Sequence, residues 1–142
     1  GKNDHPKPVL IKAIIALLKY SQQSLSEKTA ALLTKSSIFT EPLEAVLMQK
    51  GIKLQDDSQT ADIVITALGK PWSIMPDQIK EGAIVIDVGI TRDKDTLTLK
   101  GDVHPDCQKK AGWLTPVPGG VGPVTVACLL ENVLELYSNR ST

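Results

Sequence analysis

Two runs of apolar residues decide what this chain can fold into: Asp62-Ile63-Val64-Ile65-Thr66-Ala67-Leu68 and Ala83-Ile84-Val85-Ile86-Asp87-Val88. Both are rich in β-branched residues and show no polar alternation, the pattern of strands covered on both faces, as in a parallel sheet. Each run ends in glycine-bearing sequence, Gly69-Lys70-Pro71 and Gly89-Ile90. Both strand ends are therefore expected to face the crevice beyond the carboxyl edge, where open α/β sheets hold their ligands.

The segments around these runs alternate between helix and strand signals. Ile11, Ile14, Ile15 and Leu18 recur at helical spacing and predict a buried-face helix over residues 9–20. Thr29-Ala30-Ala31-Leu32-Leu33 reads as a buried parallel strand, with Thr34-Lys35-Ser36-Ser37 as a ligand-facing turn. A helix is expected to start near Pro42 and stop at Gly51, followed by a short strand Ile52-Lys53-Leu54. Short helices are expected over residues 75–82 and 105–110, a small excursion or hairpin over residues 91–100, and a strand Trp113-Leu114-Thr115. Apolar strands alternating with helices give an α/β fold: a doubly wound, Rossmann-like, mainly parallel sheet with helices on both faces, as one domain over residues 1–142.

Composition excludes several partner classes. The formal net charge is zero and the pI near 6.9, which leaves no basic footprint for nucleic acid and no reason to expect an anionic membrane as partner. Cys107 and Cys128 lie apart, with only His5 and His104 to join them, so neither a metal site nor a disulfide framework is expected, and a reducing compartment follows. No apolar stretch is long enough to span a bilayer. His104 has no second base or nucleophile close in sequence and reads as a turn histidine, and Trp72 reads as a lid over the core.

One stretch tolerates neither strand nor ordinary helix: Thr115-Pro116-Val117-Pro118-Gly119-Gly120-Val121-Gly122-Pro123. The prolines at 116 and 118 hold the chain extended, the glycines allow positive φ or close backbone approach, and Pro123 suits the first turn of a helix. That helix is expected over residues 124–137, burying Val126, Leu129, Leu130, Val133, Leu134 and Tyr137, with its N-terminus beside the glycine loop, where anions are favoured.

Together with Thr125, Val126, Ala127, Leu129, Glu131 and Asn132, this loop resembles the signature of the methylenetetrahydrofolate dehydrogenase/cyclohydrolase family. The resemblance runs in family order from about Ala61, through Ala61-Asp62-Ile63-Val64, Gly69-Lys70-Pro71, Ile79-Lys80-Glu81-Gly82-Ala83-Ile84-Val85-Ile86-Asp87-Val88-Gly89-Ile90 and Gly101-Asp102-Val103. It implies the cofactor-binding half of an enzyme that oxidises 5,10-methylenetetrahydrofolate with NADP or NAD and hydrolyses the methenyl product to 10-formyltetrahydrofolate. By that resemblance Pro116, Val117, Pro118, Gly119, Gly120 and Val121 lie against a folate-derived substrate, and Thr34, Lys35, Ser36, Ile90 and Thr125 contact the cofactor. The family's catalytic lysine and tyrosine belong to a separate amino-terminal domain, which no segment here resembles. The resemblance also implies a homodimer, in the cytoplasm or another reducing compartment such as the mitochondrial matrix.

The chain departs from the family pattern where the nucleotide is held. The Gly-Arg-Ser-x-x-Val-Gly-x-Pro loop is replaced by Thr34-Lys35-Ser36-Ser37-Ile38-Phe39-Thr40-Glu41-Pro42, so both glycines are gone and Glu41 adds negative charge. About ten residues are missing between Gly51 and Ala61, where this architecture grips the extra phosphate of NADP. Of the family's Pro-Cys-Thr-Pro element only Pro8 remains. NADP binding is therefore expected to be weak or lost. Should binding persist, Asp56 or Asp57 after the second strand would favour NAD by accepting from ribose hydroxyls, although a solvated turn with a helix-capping Asp or Ser is the better reading of Gln55-Asp56-Asp57-Ser58. This chain alone is expected to be inactive, and the alternative reading is a non-catalytic, degenerate binding or dimerisation module.

Overall fold

The computed structural model describes residues 8–117 and 119–140. In chain order these form α1 (Val9–Tyr20), β1 (Thr29–Thr34), α2 (Ser37–Gln49), β2 (Lys53–Leu54), β3 (Ile63–Ala67), β4 (Ile84–Asp87), β5 (Thr91–Arg92), β6 (Leu99–Lys100), β7 (Trp113–Leu114) and α3 (Val121–Arg140). Two 3-10 turns, Pro76–Gln78 and Pro105–Lys109, lie in the connections that precede β4 and β7. The main sheet has the order β2-β1-β3-β4-β7 with every pairing parallel, while β5 and β6 form the expected antiparallel hairpin. The chain winds outward from β1 to β2 and then reverses through β3, β4 and β7, so the topological switch point lies between β1 and β3.

The strand pattern explains the layers. Ala30, Ile63, Ile65, Ile84 and Ile86 point to one face, where they pack with Ile14 and Leu18 of α1, Leu43 and Leu47 of α2, and Val121 of α3. Their neighbours Ala31, Val64 and Val85 point to the other face and meet Ile74, Ile79, Val103 and Cys107. Both faces thus carry helical cover, three α-helices on one and the two 3-10 turns on the other. Burying each large aliphatic side chain is worth about 1.5–3 kcal/mol, which is why these two strands dominate the fold.

Five local expectations need correction. Helix α2 begins at Ser37, not near Pro42. The turn after β1 is so short that the helical ladder opens with Thr40 N–H donating to the Ser36 carbonyl (3.0 Å), and Pro42 sits on an exposed face, where only its own N–H bond is lost. The helix stops as expected: Gly51 has φ +80, its N–H donates to Met48 O, and Ile52 N–H donates to Leu47 O. The segments over 75–82 and 105–110 form 3-10 turns instead of longer helices, and Ile79 leaves its turn in an extended conformation that carries its side chain into the core.

Helix α3 starts at Val121, ahead of Val124, and its buried positions are Val121, Cys128 and Asn132. The apolar stripe expected to be buried is in water: Leu130 is 60% exposed, Leu134 65% and Tyr137 72%, with Val126, Leu129 and Val133 also exposed. What α3 packs against is α1. Lys12 Nζ reaches Asn132 Oδ1 at 3.1 Å, Glu131 at 3.2 Å and Glu135 at 3.3 Å.

Candidate functional site

All five strands of the sheet run the same way, so their carboxyl ends share one edge. The turn after β1 carries Thr34, Lys35 and Ser36; Ile90 follows β4, and the glycine loop follows β7. With β3 between them, the ends of β1 and β4 lie roughly 10 Å apart, and β7 is one strand further on. Such an edge can hold an elongated ligand across the switch point.

At the β1 end, α2 begins with Ser36 as its N-cap, and the Ser36 hydroxyl makes no capping bond. The first N–H groups of the helix therefore have no side-chain cap among the described residues, the arrangement that attracts anions. The two threonines that replace the expected glycines bond to one another. Thr40 Oγ1 donates to Ser36 O (2.7 Å), and Thr34 Oγ1 in turn donates to Thr40 Oγ1. These two hydroxyls thus tie the turn after β1 to the first turn of α2. Lys35 is exposed and is the cation this turn offers.

Beside the β2 end lies an open hollow of about 190 Å³, lined by Ala30, Leu32, Glu44, Leu54, Gln55 and Asp56. Strand β2 stops level with Ala30, several residues short of the β1 end, and leaves this gap along the β1 edge. Asp57 caps a turn, accepting from Gln59 N–H (2.9 Å) and from the Thr60 hydroxyl (3.1 Å). Asp57 thus serves the turn, while Asp56 lines the hollow. Glu44, which the sequence did not single out, joins Asp56 on the wall of the hollow, and no basic side chain among the described residues lines it.

The glycine loop is built from its first residue. Thr115 is buried; its N–H donates to Val85 O (3.1 Å) and its hydroxyl accepts from Asp87 N–H (2.9 Å). Gly119 has φ +106, and a Cβ at Gly120 would run into the Pro116 carbonyl, so these two positions require glycine for different reasons. Gly122 lies in α3 with open space around it. Pro118 lies outside the described residues. Thr125 donates its hydroxyl to Val121 O (2.7 Å) within the helix, and Ile90 is half exposed beyond β4. Hollows flank the loop on two sides. One of about 440 Å³ runs between α1 and α3 past Tyr20, Trp113, Pro116 and Gly120, and one of about 290 Å³ is lined by Trp72, Asp87, Lys100, Thr115, Pro116 and Val117.

Two buried carboxylates organise this edge. Asp87 Oδ1 accepts from Gly89 N–H (2.9 Å) and Asp102 N–H (3.1 Å), and Oδ2 from Val103 N–H (2.9 Å). Asp102 Oδ2 accepts from the Thr66 hydroxyl (2.8 Å) and Leu68 N–H (2.6 Å), and Oδ1 from Lys70 N–H (3.0 Å). Burial pushes the Asp87 carboxyl up to about 6, against the pull of its three N–H donors and with help from the negative Asp102. The signal in the sequence was an acid closing an otherwise apolar strand. His104 is a capping residue of its turn, with Nδ1 accepting from Asp106 N–H (3.1 Å), and its ring meets the edge of Trp72 at 5.4 Å. Trp72 is partly exposed, with Lys100 Nζ 4.5 Å from its ring, and so covers the hollow beside the loop instead of the core.

Residues 8–141 match the family model described as the tetrahydrofolate dehydrogenase/cyclohydrolase NAD(P)-binding domain. The chain belongs to that family. Among curated relatives, the bifunctional protein FolD of Caldicellulosiruptor saccharolyticus is 40% identical over 139 residues, covering 90% of this chain and 50% of the relative. FolD of Lactobacillus delbrueckii subsp. bulgaricus is 41% identical over 140 residues, covering 92% and 49%. Among solved structures, Campylobacter jejuni FolD, a methylenetetrahydrofolate dehydrogenase/cyclohydrolase, superimposes with TM-score 0.86 at 36% identity over 94% of this chain and 51% of that one. The Trypanosoma brucei enzyme, solved with NADP and an inhibitor, gives 0.83 at 32% identity over the same shares. The chain thus spans about half the length of the relatives it matches, and it corresponds to their carboxyl-terminal NAD(P)-binding half.

Proposed function

We propose that this chain serves as the dinucleotide-binding half of a 5,10-methylenetetrahydrofolate dehydrogenase and 5,10-methenyltetrahydrofolate cyclohydrolase, with the glycine loop turned to a folate-derived ligand. The observation that carries the reading is the loop itself: Thr115 is fixed to β4 through Asp87 N–H, and Gly120 packs on the Pro116 carbonyl, on the same carboxyl edge of the sheet that holds the switch point. A nicotinamide bound there would accept hydride from the reduced one-carbon unit. The chain's own contribution is to hold and orient. The uncapped N–H groups of α2 with Lys35 and Ser36 face the pyrophosphate, and Ile90 and the loop flank the nicotinamide end.

These residues fit a dinucleotide in outline and fit NADP poorly. Thr34 and Thr40 replace the glycines of the family's nucleotide loop, and Glu44 and Asp56 stand where an extra phosphate would have to settle. NADP binding is accordingly weak, and NAD is the better ligand. The chain alone does not turn over, because the two buried carboxylates at the edge are occupied by backbone donors and His104 is engaged as a cap. The unpartnered stripe on α3 favours a homodimer, and a reducing compartment such as the cytoplasm or mitochondrial matrix suits the two free, buried cysteines.

The test is a nuclear magnetic resonance titration with 5,10-methenyltetrahydrofolate, paired with a dehydrogenase assay using methylenetetrahydrofolate and NAD or NADP. Shifts at Val117, Gly119, Gly120 and Ile90 without turnover are expected. Shifts confined to other surfaces, or turnover well above blank that disappears in Gly120→Val, would overturn the reading.

A further inference from the structure

We propose that Asp87 is the positioning residue that holds the two ligand-facing segments, Gly89 with Ile90 and Thr115 to Val117, in one fixed relation. The inference rests on the dinucleotide reading for its functional meaning and on geometry for its substance. The backbone N–H of Asp87 is bound by the Thr115 hydroxyl, at the root of the loop, while its carboxylate takes the Gly89 N–H that leads into Ile90. The same carboxylate takes the Asp102 and Val103 N–H groups. Asp102 extends the junction to the end of β3 through Thr66, Leu68 and Lys70. One residue therefore joins the segments leaving β4 and β7 and, through Asp102, the one leaving β3.

The packing leaves no slack in this junction. A Cβ at Gly101 would run into Asp87 Oδ2 and would also lie 2.9 Å from Val117 Cγ2, so Gly101 is wedged between the acid and the loop. A Cβ at Gly89 would run into the Asp102 carboxylate. An apolar residue at position 87 would continue the strand equally well but would leave three buried N–H groups without acceptors. Changing the charge on Asp87 changes the strength of the bonds to Gly89, Asp102 and Val103 together, and through Gly101 the change reaches Val117. Among the described residues the charged groups facing Asp87 are Asp102 and Lys100; Lys100 is also paired with Asp93 Oδ2 (2.7 Å).

The test follows the amide resonances of Ile90 and Val117 in the chain from pH 5 to pH 8. Both should titrate with one shared midpoint near 6, where Asp87 ionises, and both titrations should vanish in Asp87→Asn. Histidine ordinarily titrates in the same range, so His104→Gln is the control and should leave the shared midpoint in place. Should Asp87→Asn fail to fold, the unsubstituted chain and His104→Gln still decide the matter. Independent midpoints, a static Val117, titration that survives Asp87→Asn, or loss of the midpoint in His104→Gln would each overturn the proposal. No nucleotide enters these readouts, so a failed dinucleotide reading would show instead as intact coupling in a chain that binds no NAD.

Discussion

Replacing Asp87 by asparagine should flatten the dependence of stability on pH between about pH 4 and pH 7. The folded carboxyl titrates near 6 against an ordinary 3.8, a rise of about two units that burial causes. Because the folded value is raised, the native state holds a proton there that the unfolded chain releases. The associated stability is complete below the unfolded value and is lost as pH rises through 6. At about 1.4 kcal/mol per unit, the parent protein should lose on the order of 3 kcal/mol across this window. Asp62 and Asp93 act the other way. Lys80 holds the first and Lys100 the second below the ordinary range, so their contributions are present above 3.8 and fade only as pH falls further. The window from 4 to 7 therefore isolates Asp87. Urea unfolding at half-unit pH steps and constant ionic strength measures it, with the slope in denaturant checked for constancy. If the parent protein gained stability from pH 4 to pH 7, with Asp87→Asn running parallel to it, the reasoning would be refuted.

Gly120→Val should open the loop without unfolding the sheet, because the added carbon meets the Pro116 carbonyl and lies 3.0 Å from Thr115 Cβ, all within the same loop. A loss of about 1–3 kcal/mol is expected, read by thermal melting, together with loss of the methenyltetrahydrofolate shifts. An unchanged loop spectrum would contradict this, and global unfolding would mean that the glycine serves only the backbone. Leu130→Glu combined with Leu134→Glu should convert a dimer into a monomer in sedimentation equilibrium with little change in melting temperature, since both side chains are exposed in the single chain. A parent protein already monomeric at 100 μM loading would sink that prediction.

How far the sequence could be read depended on whether the pattern was self-contained. Strands β3 and β4 were legible because a strand buried on both faces writes its environment into every position. The ends of α2 show the limit. Gly51 announced the stop by a conformation glycine favours, whereas Pro42 suggested a start that the two-residue turn after β1 had already placed at Ser37. The stripe on α3 has the correct spacing for burial, yet periodicity reports that a face is apolar and not what covers it. At the site, the loop's shape was legible from Gly119 and Gly120, since each answers to its own backbone. The role of Asp87 was not, because it depends on Gly89, Asp102, Val103 and Thr115 converging from three segments, and the place of Glu44 depends on β2 ending early.

The most direct measurement is a calorimetric titration of this chain with NAD and with NADP at one ionic strength. Losing two charge-assisted phosphate contacts at about 1.5–3 kcal/mol each moves affinity by roughly two to four powers of ten. NADP should therefore bind no more tightly than about 0.1 mM, with NAD the tighter of the two because Glu44 and Asp56 repel the extra phosphate. Micromolar NADP binding, tighter than NAD, would show that Thr34, Lys35 and Ser36 form a working phosphate loop and would contradict the account.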